Sequence, residues 1–199
     1  KGHLVLKDLH MAAAQLKAGA LIDTDTSGSA EDYSVVMSRV AIDHLHGTVL
    51  NAREATLADS IIVRQCRFHD SRNGFLLAAE KTNKGYYNVE KIQLLDNQFT
   101  GGQGVLLHLL RGGTDEKTLG PKLAFTNNQV ANFSNDGSLV ILTGVQRSVI
   151  TGNRFNNCNP ARPLMVYEDF VRATHYLARN IFINCGPVAT NNFVTAEDK

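Results

Sequence analysis

Apolar residues in this chain come in short runs bounded by Gly, Asn or Asp, a strand signal rather than a helix signal. The runs also recur. The segments QCRF, DNQF, NNQV, GNRF and RNIF end at Phe68, Phe99, Val130, Phe155 and Phe182, and the pattern extends back to Val40 and Leu9. Successive ends lie 25 to 31 residues apart. A short turn follows each, then a second apolar run: GALI, GTVL, GFLL, GVLLHLL, GSLVIL, RPLMVY and GPVA. Self-similarity at such a period marks a solenoid, in which each coil buries its inward side chains only against its neighbours. The pattern predicts an all-β chain, a right-handed parallel β-helix of about seven coils forming one domain over residues 1–199. Only MAAAQLKAG, residues 11–19, suggests a helical turn, and the repeat runs through it.

Two further features concern the surface. The runs LVIL and VLLHLL are apolar at both alternating faces, so some outer faces are expected to be covered. The chain opens as KGHLVLKDL, already in strand pattern, and an uncovered strand edge is one that proteins usually cap. A second β-helix domain or a second subunit is the expected cover.

The register puts Lys7, Ser38, Cys66, Asn97, Asn128, Asn153 and Asn180 in one column, two residues before each repeat end. Asn tolerates left-handed backbone, and its amide can bond the Asn one coil away. Asn97, Asn128, Asn153 and Asn180 are therefore expected to form an axial ladder, with Asn73 facing solvent in a following turn. Cys158 and Cys185 fall in another common column, which accounts for them as stacked small side chains without redox chemistry. Three cysteines with no CxxC spacing give neither a disulfide framework nor a zinc site.

Net charge is +1, which favours neither nucleic acid nor an anionic membrane, and no apolar run is long enough to span a bilayer. Candidate chemistry is sparse. In DTDTSGSAED, residues 23–32, the residues Asp23, Asp25, Ser27 and Gly28 imitate the start of a calcium loop, but Ser34 stands where a bidentate Glu belongs. His44 and His46 share a strand face, with no other ligand placed beside them by sequence, so a polar outer face is the simpler reading and no metal is expected in this chain. No nucleophile elbow, Walker loop, HExxH or dinucleotide fingerprint occurs.

Residues 109–121, LLRGGTDEKTLGP, carry the most specific signal. The stretch resembles one in the polysaccharide lyase family 6 enzymes, the alginate lyases related to chondroitinase B. Arg111, Gly112, Gly113, Thr114, Asp115, Glu116, Thr118, Gly120 and Pro121 match; Leu110 and Lys117 depart. The resemblance implies a parallel β-helix, a secreted or periplasmic location and a uronate polymer such as alginate, cleaved by β-elimination. In two-domain members the stretch belongs to the C-terminal β-helix, while the lysine base, arginine acid and bound calcium lie on the first. The patterns that accompany those residues are absent here, so no catalytic residue is carried over. The resemblance thus implies a non-catalytic C-terminal domain of a larger lyase, partnered with a catalytic β-helix that holds any calcium. Arg111, Asp115, Glu116 and Lys117 are the candidate contacts to anionic polysaccharide, though Asp115 and Glu116 can equally pair with Arg111 and brace the loop. A self-sufficient small lyase, with Lys81, Tyr86 or Tyr87 approaching Arg111, and a glycan-binding adhesive β-helix remain alternatives.

Overall fold

The computed structural model describes residues 2–12, 19–24, 31–80, 84–113, 120–158, 162–168 and 173–188. These residues contain strands and no helix. In chain order the strands are β1 Gly2–Ala12, β2 Ala20–Asp23, β3 Glu31–Asp43, β4 Thr48–Asn51, β5 Leu57–Arg64, β6 Arg67–His69, β7 Asn73–Leu77, β8 Lys91–Leu95 and β9 Gln98–Thr100. They continue as β10 Leu107–Leu110, β11 Lys122–Thr126, β12 Gln129–Phe133, β13 Val140–Thr143, β14 Arg147–Thr151, β15 Arg154–Cys158, β16 Met165–Glu168, β17 Thr174–Ala178 and β18 Ile181–Cys185. Met11 and Ala12 of the one helix-like stretch belong to β1, and 13–18 lie outside the described residues.

The strands stack in parallel as three columns. The first runs β1, β3, β5, β8, β11, β14, β17; the second runs through the later halves of β1 and β3, then β6, β9, β12, β15, β18. The third is β2, β4, β7, β10, β13, β16. The chain is therefore a parallel β-helix of six complete turns, with β17 and β18 beginning a seventh. Burial alternates along the strands, as in β8 and β11, so every second side chain fills the tube. In β10, Leu107 and Leu109 point inward while His108 and Leu110 are half-buried on the outer face.

One residue per coil turns the chain from the first column to the second. Asp8, Arg39, Gln65, Asp96, Asn127, Gly152 and Arg179 all have positive φ. The ladder residues follow them immediately and do not share that conformation. The left-handed geometry expected of the ladder asparagines thus belongs to the residue before each. A second left-handed column closes the second sheet: His44, Asp70, Gly101, Asn132, Asn157 and Asn184.

The pairings correct the sequence register in the early coils. Ile42, not Val40, stands opposite Phe68, and Leu9 stands opposite Val40. The ladder column therefore continues from Cys66 to Val40 and Leu9, rather than to Ser38 and Lys7. Val40 and Ile42 are both β-branched and two residues apart, so a period of two cannot distinguish them. In later coils the expected pairs form: Phe68 with Phe99, Phe155 with Phe182, Cys158 with Cys185. Ring stacking runs along the axis from Phe68 to Phe99 (5.0 Å between centroids). Where Val130 interrupts the column, Phe125 from the neighbouring sheet carries the stack to Phe155 at 6.1 Å, and Phe182 completes it at 5.2 Å.

The asparagines bond along the axis. Asn97 Nδ2 donates to Asn128 Oδ1 at 3.0 Å, Asn128 Nδ2 to Asn153 Oδ1 at 3.0 Å, and Asn153 Nδ2 to Asn180 Oδ1 at 2.9 Å. Each of the four also donates to a strand carbonyl inside the tube: Val63, Leu94, Phe125 and Ile150 in turn. Cys66 ends the ladder; its N–H donates to Asn97 Oδ1, and its sulfur accepts the Val40 N–H at 3.5 Å. Asn73 is not solvent-facing. It is half-buried, donates to Thr48 Oγ1 at 3.2 Å and accepts from Val105 N at 3.1 Å, so it too links coils.

Candidate functional site

The loop singled out by sequence leaves the end of β10 at Arg111. This side chain is 0% exposed, the largest of the fully buried residues. A buried guanidinium needs partners, since leaving its charge unpaired costs several kcal/mol, of order 3–5. Arg111 Nη1 donates to Gly113 O at 3.2 Å, folding the side chain back onto its own loop, and its backbone N–H donates to Thr143 O at 2.9 Å. Thr114, Asp115, Glu116 and Lys117 lie outside the described residues.

The preceding coil's long loop packs against this base. Tyr87 forms an antiparallel bridge with Arg111, and Gly112 N–H donates to Tyr86 O at 2.9 Å. At the far end of the loop Gly120 faces the Tyr87 ring, where a Cβ would come within 2.8 Å of it. The Tyr87 hydroxyl donates to Glu90 Oε1 at 2.9 Å. Burial, then the Glu90 carboxylate, push the Tyr87 phenol up to about 12, against a smaller opposing effect of Arg111. A phenol with that pKa is overwhelmingly neutral near pH 7 and a poor general base. Tyr86 is exposed, and Lys81 lies outside the described residues. Among the described residues, the Arg111 side chain is thus folded onto the base of the loop, and Tyr87 is a neutral hydrogen-bond donor.

Two buried polar residues tie the same long loop to the coil before it. Asn88 donates through Nδ2 to Arg53 O and Thr56 O, both at 2.9 Å, and accepts from Ala79 N at 2.9 Å. Glu80 accepts from Ala55 N at 2.6 Å. Beside this hub lies a surface groove of about 540 Å³, lined among others by Asn51, Arg53, Glu54, Leu76 and His108. Arg53 donates from Nε to Asp23 Oδ1 at 3.2 Å and pairs again through Nη2; Asn51 donates to the same carboxylate at 3.0 Å. The Arg53 and Asn51 hydrogen bonds hold the Asp23 carboxyl below its usual range. Asp23, the first residue of the calcium-like segment, is thereby engaged, while Asp25, Ser27 and Gly28 lie outside the described residues.

His44 and His46 are both exposed, but β3 ends at Asp43 and His44 opens the turn with a φ of 59°. His44 meets His69 and Asp70 of the next coil instead of His46. Sequence reading missed those partners because they lie 25 and 26 residues away, and only the coil register brings them together.

No family model and no curated protein matches the chain. Among solved structures, it is similar to the PL6 family alginate lyase AlyGC at 24% identity, with a TM-score of 0.72 over 90% of this chain. An arginine-to-alanine mutant of the same enzyme matches at 23% identity, with a TM-score of 0.73 over 98% of this chain. The shared feature is the β-helix fold. The chain spans 30% of the length of either enzyme.

Proposed function

We propose that this chain is a supporting β-helix unit of an alginate-lyase-like protein that cleaves a uronate polysaccharide by β-elimination, with the chemistry carried by another β-helix unit. The observation that carries this reading is the Arg-Gly-Gly base in a chain whose fold matches 30% of an alginate lyase. Elimination next to a carboxylate needs an accessible cation and a base within reach of the carbon-bound proton. Arg111 is wholly buried and Tyr87 is held neutral, which supports a bracing role for this segment. The groove beside Arg53 and His108 is the surface proposed to meet the polymer; Asp115, Glu116 and Lys117 stay proposed contacts on the sequence alone.

The proposed partner is the catalytic β-helix or a second subunit, and the proposed location is secreted or periplasmic. Any calcium is assigned to the catalytic unit. Leu4, Val5 and Leu9 of β1 are exposed, which supports a partner contact on that strand.

The test is incubation of the purified chain with alginate, following the ultraviolet absorbance of the unsaturated product, alongside affinity electrophoresis in alginate gels. Retardation without product is the expected result. Product formation that disappears in Arg111→Lys, with the fold retained, would make the chain a self-sufficient lyase. Neither retardation nor product would remove the polymer from the proposal.

A further inference from the structure

The second left-handed column carries a side-chain cluster that the reading above leaves unused. In the later coils this column is a row of exposed asparagines: Asn157 donates to Asn132 at 3.2 Å, and Asn184 to Asn157 at 3.0 Å. Two coils nearer the N-terminal end, the column holds His44 and Asp70, with His69 beside them. His44 Nδ1 lies 3.0 Å from Asp70 Oδ2, and His69 Nε2 lies 3.6 Å from Asp70 Oδ1. The two imidazoles meet edge to face at 5.3 Å. One donor atom from each of the three residues lies within 4.8 Å of the others.

We propose that His44, His69 and Asp70 bind a divalent transition-metal ion of the zinc class at the outer junction of two successive coils. Two imidazole nitrogens and one carboxylate oxygen are a borderline donor set, which selects such an ion over the all-oxygen preference of calcium or magnesium. Ligands at about 2.0–2.2 Å from the ion stand roughly 3.3 Å apart in a tetrahedron, close to the two His–Asp spacings found here. The three side chains are 39–51% exposed, so modest ring rotation can close the set, and water can take the remaining position.

His69 turns Nε2 toward Asp70 and Nδ1 toward Asp43, whose Oδ1 is 4.0 Å away. That separation is longer than a hydrogen bond, so a small rotation of the ring is needed before the Asp43 carboxylate can fix the tautomer and orientation of a metal-bound His69. Asp43 is itself fixed, by His10 Nε2 at 2.7 Å and Arg67 Nη2 at 3.3 Å. Beyond Asp70 in the column stands Gly101, where any Cβ would collide with the Asp70 carboxylate. The sequence expectation of a chain without a metal weighed the histidines of HLH without a partner; the next coil supplies the other donors. The proposal does not depend on the polysaccharide reading.

Isothermal titration of the tag-free, chelator-treated chain with zinc chloride tests it, with magnesium chloride as the comparison ion and cobalt absorption as a report on the ligands. One zinc per chain is expected, with no heat from magnesium. His44→Asn, which suits the left-handed backbone, and His69→Gln should each weaken zinc binding about tenfold or more, as should the positioning variant Asp43→Asn. His46→Ala, exposed two residues away, should bind as the parent does. Circular dichroism melts of the metal-free variants confirm that each is folded; if His69→Gln is not, Asp70→Asn replaces it. No zinc binding by the parent overturns the proposal. So does parental affinity in the folded His44 and His69 variants, or an intense cobalt–thiolate band, which would move the ion to a cysteine.

Discussion

A single interior rung shows how much one side chain does in this fold. Asn128 donates to Asn153 and Leu94 O, and its Oδ1 accepts from both Asn97 N and Asn97 Nδ2. Asn128→Leu removes those bonds and strands buried partners that no water reaches. Each lost bond is worth about 0.5–1.5 kcal/mol net, and each stranded group about 1–3 kcal/mol, so a loss on the order of 4 kcal/mol is expected. Asn180 is half-buried, and Asn180→Leu should cost roughly half as much because water reaches what remains. The comparison variant is Asn157→Gly, at an exposed left-handed position that glycine accepts with little strain. Urea midpoints ordered Asn128, Asn180, Asn157 from most to least damaging support stacking as the stabilising feature; equal midpoints for Asn128 and Asn157 would refute it. Cys66 offers the converse. It occupies the ladder column with a poorer acceptor, so Cys66→Asn should fold and melt no lower than the parent.

At the scale of the element, the loop that follows β10 depends on its base. Arg111→Ala leaves Gly113 O without its charged partner and empties a fully buried position, at a cost of about 3 kcal/mol in urea unfolding. A midpoint unchanged from the parent would mean that Arg111 does not brace the loop. Tyr87 makes the same contact sensitive to alkali. Its phenol is held neutral up to about 12, above the ordinary 10.0 that it regains on unfolding. Its contribution to stability is therefore complete below pH 10 and lost as pH rises through about 12. The stability difference between the parent and Tyr87→Phe should shrink across that window, and the phenolate absorbance titration should lose its latest component in the variant.

These elements also show what the sequence could say. Strands, turns and the ladder were legible because one polar position recurs with the same side chain in four successive coils. The first coils were misread by two residues because Val40 and Ile42 alternate alike, and because Arg39 and Gln65 occupy left-handed positions held in the next three coils by Asp96, Asn127 and Gly152. The RGG base was legible as a motif, but its burial was not, since strand alternation does not report what packs over a chain after it leaves the sheet. The His44, His69 and Asp70 cluster was invisible because its members are a full coil apart. Periodicity reveals that coils stack; register alone reveals which side chains meet.

For the whole molecule, stacking makes stability unequal along the axis. An interior coil is paired on both sides; among the described residues β1 pairs with β3 alone, and β18 with β15 alone. The end strands expose large apolar side chains as a result: Val5 is 61% exposed, and Phe182, the last ring of the axial stack, 37%. In a quasi-one-dimensional array each coil is stabilised by its neighbours, so opening should begin at the ends and the middle should open last. Native-state hydrogen exchange read by mass spectrometry should therefore find the slowest amides in β8, β11 and β14 and faster ones in β1 and β18. A partner seated on the β1 edge would raise protection there first and leave β18 unchanged. Protection that is uniform from β1 to β18 in the isolated chain would show that the tube opens as one unit, and would remove the exposed edge as the weak point that a second β-helix is proposed to cover.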